Sequence, residues 1–412
     1  MDGLFTTSLK IINHTVNYPE APPSATMRRM TTPSVQDKPQ LPELSLAALQ
    51  AMIAEWKQPK FRARQILDWR NKGVLNPDMM KNIPSDLRQT LKDEVCCEPL
   101  KLIRRECSVD GTRKYVFALR RHRFAGKMIE SVFIPEEKRG TVCISSQVGC
   151  VLDCPFCHTG TQGFEANLTA GEIIAQVLAI KADLHTEPLS EDLHSDISHI
   201  VYMGMGEPMA NEAAVFASID LLMDADGLKI SRRRITISTS GLVPQIQRLG
   251  DIHPVNLAIS LHSAINDKRD TLVPINRKYP LEKLRQCLNA YPVGKQRHMT
   301  LEYVLLDQAN DQNEDLQALI EFINPDRERV NLIQFNPYPG SPYTGASKQH
   351  MREFAQKLIS KGIRATVRRS RGDDIMAACG QLKANTKADT RKADTTRAEL
   401  MKADTKAQTE GT

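Results

Sequence analysis

Nowhere in the 412 residues does an uninterrupted apolar run approach the roughly 18–20 residues that a membrane-crossing helix needs, so no membrane partner is expected. The N-terminus lacks the apolar core of a secretory signal: Met1 is followed by Asp2, and the hydrophobic residues after it are interrupted throughout. A large excess of charge of one sign is missing too. The net charge of +6 permits a nucleic-acid partner without demanding one. The nine cysteines are clustered, not spread in the pairs of a disulfide framework, which suits metal and redox chemistry in a reducing compartment and a cytoplasmic location. With 41% hydrophobic and 25% charged residues the chain has the composition of a soluble globular protein. Its length allows a large core plus a smaller accessory domain.

One further absence is local. Cys150, Cys154 and Cys157 stand in the run Gly-Cys-Val-Leu-Asp-Cys-Pro-Phe-Cys-His, three thiolates from one short loop with no fourth nearby. A structural zinc site wants four ligands, and here only His158 could complete one. A [4Fe–4S] cube held by three cysteines keeps one iron open. An open iron can chelate the amino and carboxylate groups of S-adenosylmethionine (SAM) and pass an electron to its sulfonium, and the Cys-x3-Cys-x2-Cys spacing is the usual mark of that radical-SAM chemistry. A zinc site, or a loop of core cysteines, is the bland alternative.

Residues 1–40, with Pro19, Pro22, Pro23, Pro33 and Pro39, read as a disordered leader in which Met27 or Met30 is an alternative start. Residues 41–135 read as an accessory domain. Leu44, Leu46, Leu49, Met52, Ile53 and Trp56 recur at helical steps, Phe61 to Trp69 repeats the theme, and Ser85 is the expected N-cap of a third helix. A hairpin turning at Gly111 follows. Residues 136–382 alternate between apolar strands and helical stretches. The strands are expected at Val142–Ser145, Ile200–Gly204, Ile235–Ser238, Leu257–Leu261, Leu301–Leu306 and Asn331–Phe335. Six such units imply a parallel sheet, either a partial (βα)6 barrel or a doubly wound open sheet. Polar motifs fall at the C-terminal ends of these strands, where barrel enzymes keep their chemistry, so the barrel is preferred. Residues 383–412 carry a degenerate Lys-Ala-Asp-Thr repeat and read as a solvated, disordered tail.

Gly204-Met-Gly-Glu-Pro208 resembles the Gly-Gly-Glu-Pro strand end of radical-SAM enzymes, where glycines admit the methionine moiety and Glu207 can meet its ammonium. Together with Thr141–Cys150, Ile235–Gly241, Ala258–His262, Arg371–Ile375 and Ala378–Leu382, it makes the chain from about Leu44 to Leu382 resemble the RlmN family. These are dual-specificity RNA methyltransferases that act on adenine C2. The resemblance implies an α/β fold, a partial (βα)6 TIM-like barrel with an N-terminal helical accessory domain. It implies a [4Fe–4S] cluster on Cys150, Cys154 and Cys157, and SAM contacts at Gly206, Glu207, Ser238, Ser260, Leu261, His262 and Asn336. It also implies two SAM per methyl transferred: one methylates Cys379, the other gives the radical that activates that methyl for addition to C2. Cys143 then releases the RNA by a disulfide with Cys379, and Glu130 takes the C2 proton. From the residues alone, Glu130 in its apolar strand is either a buried base of raised pKa or a strand-edge carboxylate in water. Cys143 and Cys379, like Cys96, Cys97, Cys107 and Cys287, read alone as core cysteines.

The implied substrates are an adenosine of 23S rRNA at the peptidyl-transferase centre and the adenosine 3′ of the anticodon in certain tRNAs, with an electron donor such as flavodoxin and a monomeric enzyme. Lys57, Lys60, Arg62, Arg64 and Arg70 beside Trp56, Phe61 and Trp69 either grip RNA or form a wet basic helix face. Arg232–Arg234 and Arg368–Arg371 are expected to add cationic surface. A sister activity on adenine C8 shares the cysteine logic, though the overall match favours C2. The intact cluster and catalytic residues argue against a non-catalytic RNA-binding homologue.

Overall fold

The computed structural model describes residues 38–383, Glu191, Gln296 and Arg369 excepted. The expected leader up to residue 37 and the Lys-Ala-Asp-Thr tail lie outside the described residues. Three helices come first: α1 (Leu46–Glu55), α2 (Phe61–Asn71) and α3 (Ser85–Glu94). Their apolar faces close on a core of their own, in which Leu49, Ile53, Ile66, Leu67, Leu87 and Leu91 are all fully buried. Ser45 caps α1, its side chain accepting from the Ala48 N–H at 3.2 Å. Ser85 is not the cap of α3. The extended backbone that a cap requires is supplied by Pro84 (ψ 150°), so Ser85 is already helical and no side chain caps the helix.

The basic residues of this unit divide sharply. Arg70 is buried, and its guanidinium donates to the carbonyl oxygens of Leu44 at 2.7 Å and Pro42 at 3.3 Å. Burial pushes its pKa down to about 10. Arg64 pairs with Asp68 and, at 2.5 Å, with Asp226 of the following domain. Only Lys57, Lys60 and Arg62 of the expected RNA surface keep their charges in solvent or half-buried without an acidic partner among the described residues. Arg70→Ala would leave two buried carbonyls without donors and should cost roughly 2–4 kcal/mol, read as a lower denaturant midpoint with RNA affinity unchanged. An unchanged midpoint with weaker RNA binding would return Arg70 to the RNA surface.

Ten strands form one sheet. The first four, β1 (Leu100–Cys107), β2 (Arg113–Leu119), β3 (Met128–Glu136) and β4 (Arg139–Cys143), pair antiparallel. A separate two-stranded hairpin follows, β5 (Gln147–Gly149) with β6 (Phe164–Asn167). From β4 the sheet continues in parallel through β7 (Ile197–Tyr202), β8 (Ile235–Thr239), β9 (Asn256–Ser260), β10 (Met299–Leu305), β11 (Glu328–Gln334) and β12 (Ala365–Arg368). Helices fill the crossovers: α4 (Ala170–Thr186), α5 (Glu212–Met223), α6 (Val243–Ile252), α7 (Asn266–Leu272), α8 (Leu281–Ala290), α9 (Asn313–Phe322) and α10 (Lys348–Ser360).

The strand order β4-β7-β8-β9-β10-β11-β12 follows the chain without reversal. A doubly wound sheet must reverse at a switch point, so that alternative is excluded. Successive crossovers of one hand curve the sheet into a barrel wall, left open because β1 and β12 are its two edges. The six expected strands are β4 and β7 to β11. The seventh, β12, carries no alternating apolar pattern: its Val367 is exposed at the sheet edge. No helix among the described residues is long and apolar enough to cross a membrane.

Candidate active site

Strand β4 ends at Cys143, and the loop beyond it is pinched at its neck by β5 and β6, with Gln147 opposite Asn167 and Val148 opposite Ala166. Gly149 (φ 70°) makes the neck possible, because a Cβ there would stand 1.7 Å from the Gly163 carbonyl oxygen. Above the neck the Cys150 N–H donates to Gly163 O at 3.1 Å and the Cys157 N–H to Cys154 O at 3.1 Å. Cys150, Cys154 and Cys157 all line one cavity of about 170 Å³.

The donor set fits an iron–sulfur cluster. Burial raises all three thiols, Cys150 to about 12, and the charges of Cys157 and Cys150 raise Cys154 further. Three thiolates at such mutual range are stable only around a cationic centre. His158, the one candidate for a fourth ligand, has its Nδ1 3.1 Å from the Gln381 carbonyl and its ring stacked on Tyr338 at 4.6 Å. Among the described residues no three His, Cys, Asp or Glu side chains are gathered around a single ion; three cysteine ligands can hold a four-iron cube with one iron left open.

The opposite wall comes from the C-terminal ends of successive strands. Gly206 (φ 98°) sits where a Cβ would lie 2.5 Å from that of Gln147. The Glu207 carboxylate accepts from the N–H groups of Met209 at 3.0 Å and Ser240 at 2.8 Å, tying the ends of β7 and β8 together. Burial raises its pKa, opposed by those hydrogen bonds. Ser238, Ser260, His262 and Asn336 also line the cavity. The His262 Nδ1 accepts from the Val304 N–H at 3.0 Å, so Nε2 carries the proton. Burial first, then the charge of Arg269, lower this imidazole to about 3 and keep it neutral. Leu261 does not line the cavity. It is fully buried, and its backbone donates to Glu302 O at 3.0 Å and accepts from Arg269 Nε at 3.0 Å.

Arg269 is a residue that sequence reading passed over. It is fully buried, and its guanidinium holds the carbonyls of Ser240, Ser260 and Leu261, fixing the ends of β8 and β9. In the sequence it is one charge among several in Asn-Asp-Lys-Arg-Asp, with no signal of burial. Glu302 was likewise missed. It lines the cavity from β10, with its pKa raised by burial against the charge of Arg368.

The segment around Cys379 is strapped over the cysteine loop. The His158 N–H donates to Gly380 O at 2.8 Å, Thr159 Oγ1 to Leu382 O at 2.6 Å, and Asn336 Nδ2 to Cys379 O at 3.4 Å. Cys379 lines the main cavity and also a second one of about 30 Å³, whose wall includes Cys143. Both are free thiols. Burial pushes Cys143 up to about 12, with the charge of Cys379 adding. Arg368 is not the surface cation expected from the sequence. It lines both cavities and is raised by the charges of Cys379, Glu302 and Cys143. Arg371 lies 3.6 Å from Asp110. Glu130 lines neither cavity. It is buried behind the strap, with Lys383 N–H donating to Oε2 at 3.1 Å and Lys114 Nζ 3.8 Å from Oε1.

Comparison with known proteins places this arrangement. Residues 144–323 match the radical SAM superfamily, and residues 40–97 the N-terminal domain of ribosomal RNA large subunit methyltransferases. The dual-specificity RNA methyltransferase RlmN of Roseobacter denitrificans is 44% identical over 352 residues, covering 83% of this chain and 88% of the relative. That of Rhizobium leguminosarum bv. trifolii is 43% identical over 374 residues, covering 88% and 91%. The crystal structure of a radical SAM methyltransferase from Sphaerobacter thermophilus superposes with a TM-score of 0.78 at 39% identity, over 84% of this chain and all of that one. This chain therefore belongs to the RlmN family of radical SAM RNA methyltransferases.

Proposed function

We propose that the enzyme methylates adenine C2 in 23S rRNA and in tRNA, carrying the methyl group on Cys379. The observation that supports this most is the position of Cys379 on the wall common to two cavities, with the three cluster cysteines in one and Cys143 in the other. A carrier thiol has to meet the methyl donor on one side and a resolving thiol on the other.

Adenine C2 lies between two ring nitrogens and is too electron-poor to attack a sulfonium, whereas a carbon radical can add to it. Cys150, Cys154 and Cys157 would hold a [4Fe–4S] cluster that, when bound, supplies the electron for cleaving SAM to a 5′-deoxyadenosyl radical. Gly206, Glu207, Ser238, Ser260, His262 and Asn336 would bind that SAM. Glu207 faces its ammonium, and the Nε2–H of neutral His262 is a donor. Leu261 contributes through its backbone only. A first SAM methylates the Cys379 sulfur by displacement, and Arg368 stabilises the attacking thiolate. The 5′-deoxyadenosyl radical would take a hydrogen atom from the Cys379 methyl group, the resulting methylene radical would add to C2, and the odd electron of the adduct would pass back to the cluster. Glu130 takes the C2 proton once the segment ending at Lys383 lets go of its carboxylate, and Cys143 attacks the Cys379 sulfur to free the RNA. Both SAM-dependent halves consume one SAM each. The helices with Lys57, Lys60 and Arg62 hold RNA, the target base is extruded into the cavity, and a donor such as flavodoxin supplies electrons to a monomeric, cytoplasmic enzyme.

The test is mass spectrometry of nucleosides from rRNA and tRNA modified in vitro. 2-Methyladenosine is expected in both. 8-Methyladenosine instead would assign the sister activity and overturn the C2 reading.

A further inference from the structure

Arg232, Arg233, Arg234, Arg297 and Arg364 are absent from the site just described. The first three immediately precede β8, Arg297 precedes β10 by one residue, and Arg364 immediately precedes β12. Because β8 to β12 are parallel and adjacent, all five gather at one end of the barrel wall, opposite the end that bears the cavity. The seven residues of β11 separate the two ends, on the order of 20 Å at the rise of a strand. The five strands abreast give the patch a width of similar order.

No ion pair joins any of the five to a described acidic side chain. The buried Glu328 is held by Arg285, and at His298 the charge of Asp326 is outweighed by those of Arg364 and Arg329. Their contacts are with neutral groups instead. Arg297 Nη2 donates to the Arg233 carbonyl at 3.3 Å, and Arg364 Nη1 lies 2.9 Å from His298 Nε2. Burial and then the charges of Arg233 and Arg232 depress Arg297. Arg232, Arg233, Arg234 and Arg364 are exposed. A protein gains nothing in stability by packing like charges together. Exposed planar guanidinium forks suit phosphate oxygens.

We propose that these arginines form a second phosphate-binding surface, which grips the RNA backbone at a distance from the adenosine held in the cavity. The inference rests on RNA being the substrate. A protein partner fits the patch less well, because an electron donor must approach the cysteine loop at the other end of the barrel. A folded RNA large enough to run along the barrel can engage both ends. A short hairpin bearing the target adenosine engages the cavity end alone.

The experiment compares two RNAs, a full-length tRNA substrate and a short anticodon stem-loop cut from it, on the reconstituted full-length enzyme over a salt series. Arg232→Ala/Arg233→Ala/Arg234→Ala should weaken binding of the full-length RNA about 10–100-fold near 0.1 M salt and flatten the log–log salt slope by roughly 2–3, as loss of three phosphate contacts requires. Stem-loop affinity and S-methylation of Cys379 should not change. Arg364→Glu, on another strand, should reproduce the effect and keeps the test decisive if the triple variant folds poorly. Equal losses on both RNAs, or none on either, overturn the proposal. So does slower electron delivery from an acidic flavoprotein with RNA binding intact. If the wild-type enzyme binds neither RNA, the substrate reading has failed and not the surface.

Discussion

Cys154→Ala enzyme, purified and reconstituted anaerobically, should show no iron–sulfur absorbance and produce no 5′-deoxyadenosine, yet unfold within a few degrees of the wild type. The dissociation of the two readouts follows from where Cys154 sits. Its side chain is buried among Leu272, Val273, Val304, Leu306, Phe335 and Tyr338. As packing it is a small apolar group, and trimming it to alanine costs on the order of 1 kcal/mol. As a ligand it is one of three, and a cube that loses one of three cysteine ligands is no longer held by the loop. Burial and the neighbouring thiols push the Cys154 thiol well above its ordinary value, so cluster assembly must displace a proton there and should weaken as pH falls. Cys287→Ala is the control. That thiol is also buried and raised by burial, to about 11, but it lies on α8 with its Sγ near the Val243 carbonyl of α6. Its loss should leave absorbance and SAM cleavage intact. Near-normal deoxyadenosine production by Cys154→Ala would remove the cluster from this loop.

The sequence made some of this architecture legible and hid the rest for physical reasons. The parallel strands announce themselves because they are buried on both faces and read as apolar runs. The cavity lining was legible for the same reason, since polar residues such as Ser238, Ser260 and His262 interrupt those runs at their C-terminal ends. The neck hairpin was not, because three- and four-residue strands are too short to show a period. Charged residues were hardest to place. Arg368 and Arg371 read as surface, and Arg70 as part of an RNA-binding face. Yet Arg70 satisfies buried carbonyls and Arg368 lies between Cys379, Cys143 and Glu302. One sequence gives the charge of an arginine and not the partner that buries it, and a long side chain can bury its head or expose it. Lone cysteines share that difficulty. Cys143 and Cys379 are 236 positions apart, and only the strap over the loop brings them to one cavity.

Cys143→Ala and Cys379→Ala should fail in opposite ways, which is the strongest check on the proposed cycle. Without Cys379 the methyl carrier is gone: the cluster and SAM binding persist, and no methylated RNA forms. Wild-type enzyme given labelled SAM should show the label on Cys379 before any appears in RNA. Without Cys143 the first half of the cycle can run to the bond with C2, and the protein should then accumulate as a covalent RNA adduct on a denaturing gel. Resolution needs a disulfide, hence α-carbons within about 7 Å. The two residues share the wall of a cavity of about 30 Å³, so both thiols border one space. The Cys143 thiol is raised to about 12 in the free enzyme, chiefly by burial, and burial keeps it mostly protonated at neutral pH in the adduct, where the alkylated Cys379 sulfur carries no charge. Only the thiolate attacks, and its fraction rises about tenfold per pH unit below that value. The sign is therefore fixed. In single-turnover reactions of wild-type enzyme the adduct should decay faster as pH rises from about 7 to 9, and in Cys143→Ala it should persist at every pH. Arg368, close enough for its charge to lower the Cys143 thiol, should share in this. Arg368→Gln should shift the decay profile to higher pH, whereas Arg368→Lys should recover most of it. A Cys143→Ala enzyme that turns over without an adduct would reduce Cys143 to a core residue, and the resolving step would have to be sought elsewhere.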